Sequence, residues 1–150
     1  MLRLTASALA LAAFTGAGCG RDEVGLPAAC QAGSEQIAAA LHAAPQRVAL
    51  RDGTRLSSCV GLASQDGELQ TVGATFTRVA DDLARQMPAR DAAAVQLGYL
   101  IGATRRGASE TNGIHLELVR RLDQTVGLDG APPHRRAAFQ RGLAAGSRRG

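Results

Sequence analysis

The residues able to do covalent or proton chemistry in this chain are few and scattered. Cys19, Cys30 and Cys59 are the only thiols, and His42, His115 and His134 the only imidazoles. The histidines fall on different predicted helices, and no Cys-x-x-Cys is present, so the tetrahedral ligand set of a zinc site is missing. No metal or other cofactor is expected. Ser57 and Ser58 lack the Gly-x-Ser-x-Gly surround of a nucleophile elbow. Asp81 and Asp82 are neighbours on one predicted helix, where such a pair ordinarily forms a solvated face. Glycosidic chemistry would need two carboxylates across one cleft. A deep pocket gathering Asp81, Asp82, Glu117 or His115 would be the sign of an enzyme. Otherwise the expected role is non-enzymatic. The thiols are more informative, because an odd number leaves one over after pairing.

The elements around Cys19 give that odd thiol a use. Met1-Leu2-Arg3 is a short positive start, and Leu4 to Phe14 is apolar but too short to span a bilayer. Thr15-Gly16-Ala17-Gly18 then leads into Cys19. The arrangement resembles a bacterial lipoprotein signal, in which small residues precede a cysteine that becomes the lipidated N-terminus. Ala17, Gly18 and Cys19 fit that box, whereas Gly16 stands where an apolar residue is usual. The alternative is an ordinary secretory signal cut after Ala17. With residues 1–18 as the signal, 19–33 form a tether, polar and rich in Gly and Pro over its first part. If Cys19 carries lipid, Cys30 and Cys59 remain to pair. Their disulfide would close a loop of about 30 residues, worth about 3–4 kcal/mol in the chain-entropy model.

The rest of the chain reads as helix. Alanine accounts for much of the 45% apolar content, aromatics are 3% and tryptophan is absent, a composition favouring helices with aliphatic cores. Ser34 is placed to cap a first helix carrying Ile37 and Leu41, which Pro45 stops. Residues 46–57 form a loop or minor hairpin, with Asp52-Gly53 as its turn. A short helix from about Leu56 carries Cys59 inward. Asp66 opens a long helix in which Leu69, Val72, Phe76, Val79, Leu83 and Met87 make one buried stripe. Asp91 opens a central helix to about Arg106, with Gly107 as a stop. On it Ala94, Gly98 and Gly102 form a small-residue line between apolar walls, a groove for another helix. A helix from about Gly113 to Val126 follows, either separate or continuous with the central one. The last runs from Pro132-Pro133 to about Ala145, and 147–150 form a disordered tail.

These expectations amount to an all-α domain over 34–146. It is a small bundle of about four to five helices with antiparallel packing, and Gly98 and Gly102 serve close helix contact. Gly-x-x-x-Gly is also a membrane dimerisation motif, but only 13 uncharged residues separate Asp91 from Arg105, too few to span. The net charge of +4 rests on arginine alone and is too small an excess to imply a nucleic-acid partner. From Ala131 onward there is no acid. Arg135, Arg136 and Arg141 are there the candidate contacts to anionic lipid or acidic envelope polymer, or else a solvated basic face.

The runs Asp52-Gly53-Thr54-Arg55-Leu56-Ser57-Ser58-Cys59-Val60 and Leu97-Gly98-Tyr99-Leu100-Ile101-Gly102-Ala103-Thr104-Arg105-Arg106-Gly107 resemble segments of small secreted proteins and lipoproteins of high-GC Gram-positive bacteria. The resemblance implies an exported helical domain and brings no activity, ligand or catalytic residue. The expected place is extracytoplasmic, held at the membrane through lipid on Cys19, or freely secreted. An envelope enzyme is the remaining alternative.

Overall fold

The computed structural model describes residues 25–111, 113 and 115–150; the signal segment and Cys19 lie outside them. A short 3-10 turn, Ala28–Gln31, precedes six helices: α1 (Ser34–Leu41), α2 (Leu56–Leu62), α3 (Asp66–Gln86), α4 (Asp91–Ser109), α5 (Leu116–Thr125) and α6 (Pro133–Arg149). The domain is an all-α bundle held by a Cys30–Cys59 disulfide. Six helices are present among the described residues rather than about four to five, with α4 and α5 as separate helices. Residues 46–55 form a loop, with no strand among the described residues. Within it the Leu50 N–H donates to the Thr54 carbonyl at 2.8 Å and the Gly53 N–H to the Leu50 carbonyl at 2.9 Å. Gly53 sits at φ +84°, a conformation that glycine adopts without steric cost.

Helix α4 is the centre. Every residue from Ala93 to Thr104 is buried, so this helix has no solvent face along most of its length. That is possible because the stretch has no charge and its large polar side chains, Gln96 and Tyr99, both find partners. The fully buried Tyr99 hydroxyl accepts the Val48 N–H at 3.1 Å, pinning the 46–55 loop to the helix. The buried stripe of α3 (Val72, Phe76, Val79, Leu83 and Met87) belongs to the same core as Ile37 and Leu41 of α1.

The most extensive helix contact is between α4 and α6, and it is made backbone to backbone. A Cβ built on Gly98 would strike the Phe139 carbonyl oxygen and lie 2.8 Å from the Leu143 nitrogen. On Gly102 it would strike the Leu143 carbonyl oxygen and lie 2.7 Å from the Ser147 nitrogen. The facing glycines reciprocate. Gly142 abuts the Val95 carbonyl and Gly146 the Tyr99 carbonyl. Two Gly-x-x-x-Gly ridges are thus seated in one another, at a separation that only hydrogen in place of a side chain permits.

The order of these pairs shows that α4 and α6 run parallel, since both sequences advance together along the seam. The expected antiparallel packing is therefore corrected for this pair: α5 is the return, and α6 comes back along α4 in the same direction. Parallel helices put two negative C-terminal ends together. Arg106 answers this by donating to the Ser147 and Arg148 carbonyls at 3.3 and 3.0 Å.

Four boundaries also shift. Gly107 is no helix stop: it lies inside α4, buried, where a Cβ would strike the Ser57 carbonyl of α2 and lie 2.7 Å from Val60 Cβ. Residues 147–150 are no disordered tail, because α6 continues to Arg149 and Gly150 packs on Ala103. The Ser57 hydroxyl donates to the Gly150 carbonyl at 2.5 Å. Within the tether expected over 19–33, Leu26 and Cys30 already belong to the core. Finally, the N-caps are Gly33, Gln65 and Arg90, one residue before the expected Ser34, Asp66 and Asp91. For α3 the reason is visible: the Glu68 carboxylate reaches back to the Ser64 and Gln65 N–H groups at 3.1 and 3.3 Å.

Gly98→Ala should destabilise the fold by at least about 1–3 kcal/mol, because its methyl meets carbonyl backbone rather than movable side chain. Gly73→Ala, whose Cβ would meet only Leu118 Cδ1 at 4.0 Å, should instead gain up to about 1 kcal/mol of helix propensity. Chemical denaturation of both variants checks the pair. Tyr99→Phe should cost about 1–3 kcal/mol by leaving the Val48 N–H buried without an acceptor, read in the same experiment.

Candidate functional site

A cleft of about 710 Å³ lies between α3 and α5. Its floor is apolar, from Ala63, Leu69, Val72, Gly73 and Leu118. Gly73 contributes by omission. It lies in mid-helix, where glycine costs about 1 kcal/mol relative to alanine, yet no neighbour crowds it. The missing side chain keeps the floor open rather than allowing a close helix approach. The rim carries both signs of charge: Arg78 and Asp81 from α3, Glu117 and Arg121 from α5.

The cleft therefore gathers three of the four residues that would mark an enzyme, Asp81, Glu117 and His115. Asp82 is turned away and pairs with Arg85. The three gathered groups are engaged in ways that matter for chemistry. Glu117 accepts from Arg120 Nε and Nη2 at 2.9 and 2.8 Å and from Arg121 Nε at 2.9 Å. The Arg120 hydrogen bonds, then those from Arg121, pull its carboxyl down to about 2. A carboxylate so weakly basic is a poor proton acceptor at neutral pH. His115 is buried with both ring nitrogens in use. Nε2 lies 3.0 Å from the Ala63 carbonyl, which can only accept, so Nε2 carries a proton. Nδ1 lies 2.7 Å from the Thr111 hydroxyl. The ring thus fastens the turn before α5 to the end of α2 and shapes one end of the cleft. Asp81 has no hydrogen bond or ion pair to a described residue. No two of these groups share a hydrogen bond, so no acid–base couple is assembled across the cleft. What the arrangement offers is an apolar floor with a mixed-charge rim, suited to holding a ligand.

The other sequence-predicted residues are placed as follows. Cys30 and Cys59 are bonded, fully buried, with Cα atoms 5.3 Å apart. Gly98 and Gly102 lie in the α4–α6 seam. Arg135 is turned toward Asp91, its Nε 3.5 Å from the carboxylate, and Arg136 donates to the Ala131 carbonyl at 2.5 Å. Both serve the start of α6. Arg141 is exposed and unpaired among the described residues. Among the described residues no group of three His, Cys, Asp or Glu could hold a metal ion. His42 meets the buried Gln96 amide at 3.1 Å, and His134 lies 3.6 Å from Asp91.

Gly142 and Gly146 escaped the sequence reading although their spacing repeats that of Gly98 and Gly102. Gly107 and Ser57 had no such signal, since only the fold brings them together. Comparison with known proteins finds no matching family model, no similar curated protein and no similar solved structure.

The depressed Glu117 carboxyl gives a pH prediction. Its folded pKa of about 2 lies below its ordinary 4.5. Its contribution to stability is present above the ordinary value and is lost as pH falls through the folded one. The side-chain carboxyl resonance should titrate near 2, and Arg120→Gln should move the midpoint up toward 4.5. A wild-type midpoint already near the ordinary value would dissolve the Glu117–Arg120 pairing.

Proposed function

We propose that this is an exported helical domain, tethered to the membrane by lipid on Cys19, with a non-enzymatic binding or structural role at the cell envelope. The observation that carries this reading is the buried Cys30–Cys59 disulfide. Disulfides persist in oxidising, extracytoplasmic compartments. This one also removes two of the three thiols, leaving Cys19 behind an apolar segment and a run of small residues. Among the described residues no helix is long and apolar enough to cross a membrane. Attachment to a bilayer would then fall to the lipid, whose two acyl chains supply about 0.8 kcal/mol per buried methylene. The cleft favours binding over catalysis, because Glu117 and His115 are held by other protein groups and neither is coupled to Asp81.

A short tether follows. The packed domain begins by Leu26, so a lipid on Cys19 would hold it within about 20–25 Å of the bilayer surface even with the link fully extended. Metabolic labelling with an alkyne fatty acid should mark the wild-type protein and leave Cys19→Ser unmarked. An unlabelled wild type would remove the anchor. Gly16 favours a second reading, free secretion, in which the protein collects in the medium and Cys19 is unmodified or bridges two chains in a dimer that reductant splits.

A further inference from the structure

A second pocket, of about 550 Å³, is lined by Arg47, Gly53, Arg55, Ser58 and Arg149. Three of its five lining residues are arginine and none is acidic. None of the three arginines forms an ion pair with a described residue. They come from two separate stretches: Arg47 and Arg55 from the 46–55 loop, where Arg55 is the N-cap of α2, and Arg149 as the last residue of α6. Their backbones are firmly placed. The Gly53 turn is closed by its own hydrogen bonds, and Val48 beside Arg47 is tied to Tyr99. Cys59 beside Ser58 is in the disulfide, and Gly150 beside Arg149 is bonded to Ser57. The nearest acid in sequence, Asp52, turns Oδ1 to the Thr54 N–H at 2.9 Å. The fold therefore gathers like charges without compensating them, which is unfavourable until an anion enters.

We propose that this pocket binds a phosphate group, and that the phosphate is that of an anionic phospholipid headgroup. Three arginines and Ser58 line one space. A planar carboxylate is satisfied by a single fork, whereas a tetrahedral phosphate presents acceptors in several directions. The headgroup assignment rests on the lipid-anchor reading and on position. Cys30 follows Cys19 by eleven residues, and its Cα is 5.3 Å from that of Cys59. Ser58 is one residue further, another 3.8 Å at most between Cα atoms. Cys30 is thus near Ser58 of the pocket, and on the lipid-anchor reading a lipid on Cys19 would keep this part of the domain near the membrane. Arg135, Arg136 and Arg141 form no part of this pocket.

Inorganic phosphate titrated into the full chain, at constant ionic strength, tests the chemistry. Arginine Nε–H resonances and the Gly53 and Ser58 amides should shift and saturate. Arg55→Gln and Arg149→Gln should each weaken binding at least about tenfold, the scale of a lost charge-assisted hydrogen bond. Neither should lower the melting temperature without phosphate, because each relieves repulsion. Arg141→Gln, with the same change of charge, should leave binding intact. Unsaturable shifts spread over all arginines, or equal weakening by Arg141→Gln, would overturn the site. Vesicles separate the sources, using the chain with Cys19→Ser. Binding to phosphatidylglycerol over phosphatidylcholine vesicles that Arg55→Gln and Arg149→Gln both weaken supports the headgroup. Vesicle binding indifferent to both variants overturns the headgroup assignment and leaves a soluble phosphate as the ligand. The fatty-acid label at Cys19 is read independently, so failure of the anchor and failure of the pocket are distinct results.

Discussion

The domain depends on one close approach, that of α4 to α6. Gly98 and Gly102 on one helix face Gly142 and Gly146 on the other, and each glycine lies against a carbonyl of its partner helix. Packing at this distance replaces side-chain interdigitation by direct contact of two backbones. It explains how a chain with 3% aromatics builds a core around a helix buried on all sides. Small residues let α4 have neighbours everywhere: α6 along the glycine seam, α2 at Gly107, and α3, α1 and α5 on the remaining faces. The cost is intolerance, since at these positions even a methyl group has nowhere to go.

The seam also sets the ends of the molecule. Because α6 runs parallel to α4, the last residues of both helices arrive at the same place, beside α2. There Gly150 packs on Ala103 and accepts from Ser57, and Arg149 joins Arg55 and Arg47 around one pocket. The disulfide fixes the other member of this meeting by tying Cys30 to α2. The basic pocket and the seating of Gly150 are thus consequences of the same packing choice as the glycine seam. The α3–α5 cleft is separate, and its openness comes from Gly73 and from the short α5 rather than from the seam.

Local pattern made much of this legible. The stripe from Val72 to Met87 and the uncharged run of α4 identify their buried faces without any tertiary information. The pairing of Cys30 with Cys59 follows from counting once Cys19 is set aside. What escaped reading depends on contacts distant in sequence. The direction of α6 relative to α4 leaves no periodic trace. Gly107 resembles a helix terminator until α2 is seen resting on it. Residues 147–150 look like a polar tail because their anchors, Ser57 and Ala103, lie more than forty residues earlier. The arginines show the same limit. Arg135 and Arg136 stand out in sequence but serve the start of α6, whereas Arg47, Arg55 and Arg149 are isolated in sequence and meet only in space.

The central claim is the parallel, backbone-to-backbone seam, and nuclear Overhauser contacts between glycine α-protons and the opposite helix test it most directly. The account predicts strong contacts from Gly142 Hα to Val95 and Tyr99, and from Gly146 Hα to Tyr99 and Ala103, advancing together along both helices. Contacts in the reverse order, or none between these glycines and α4, would contradict it.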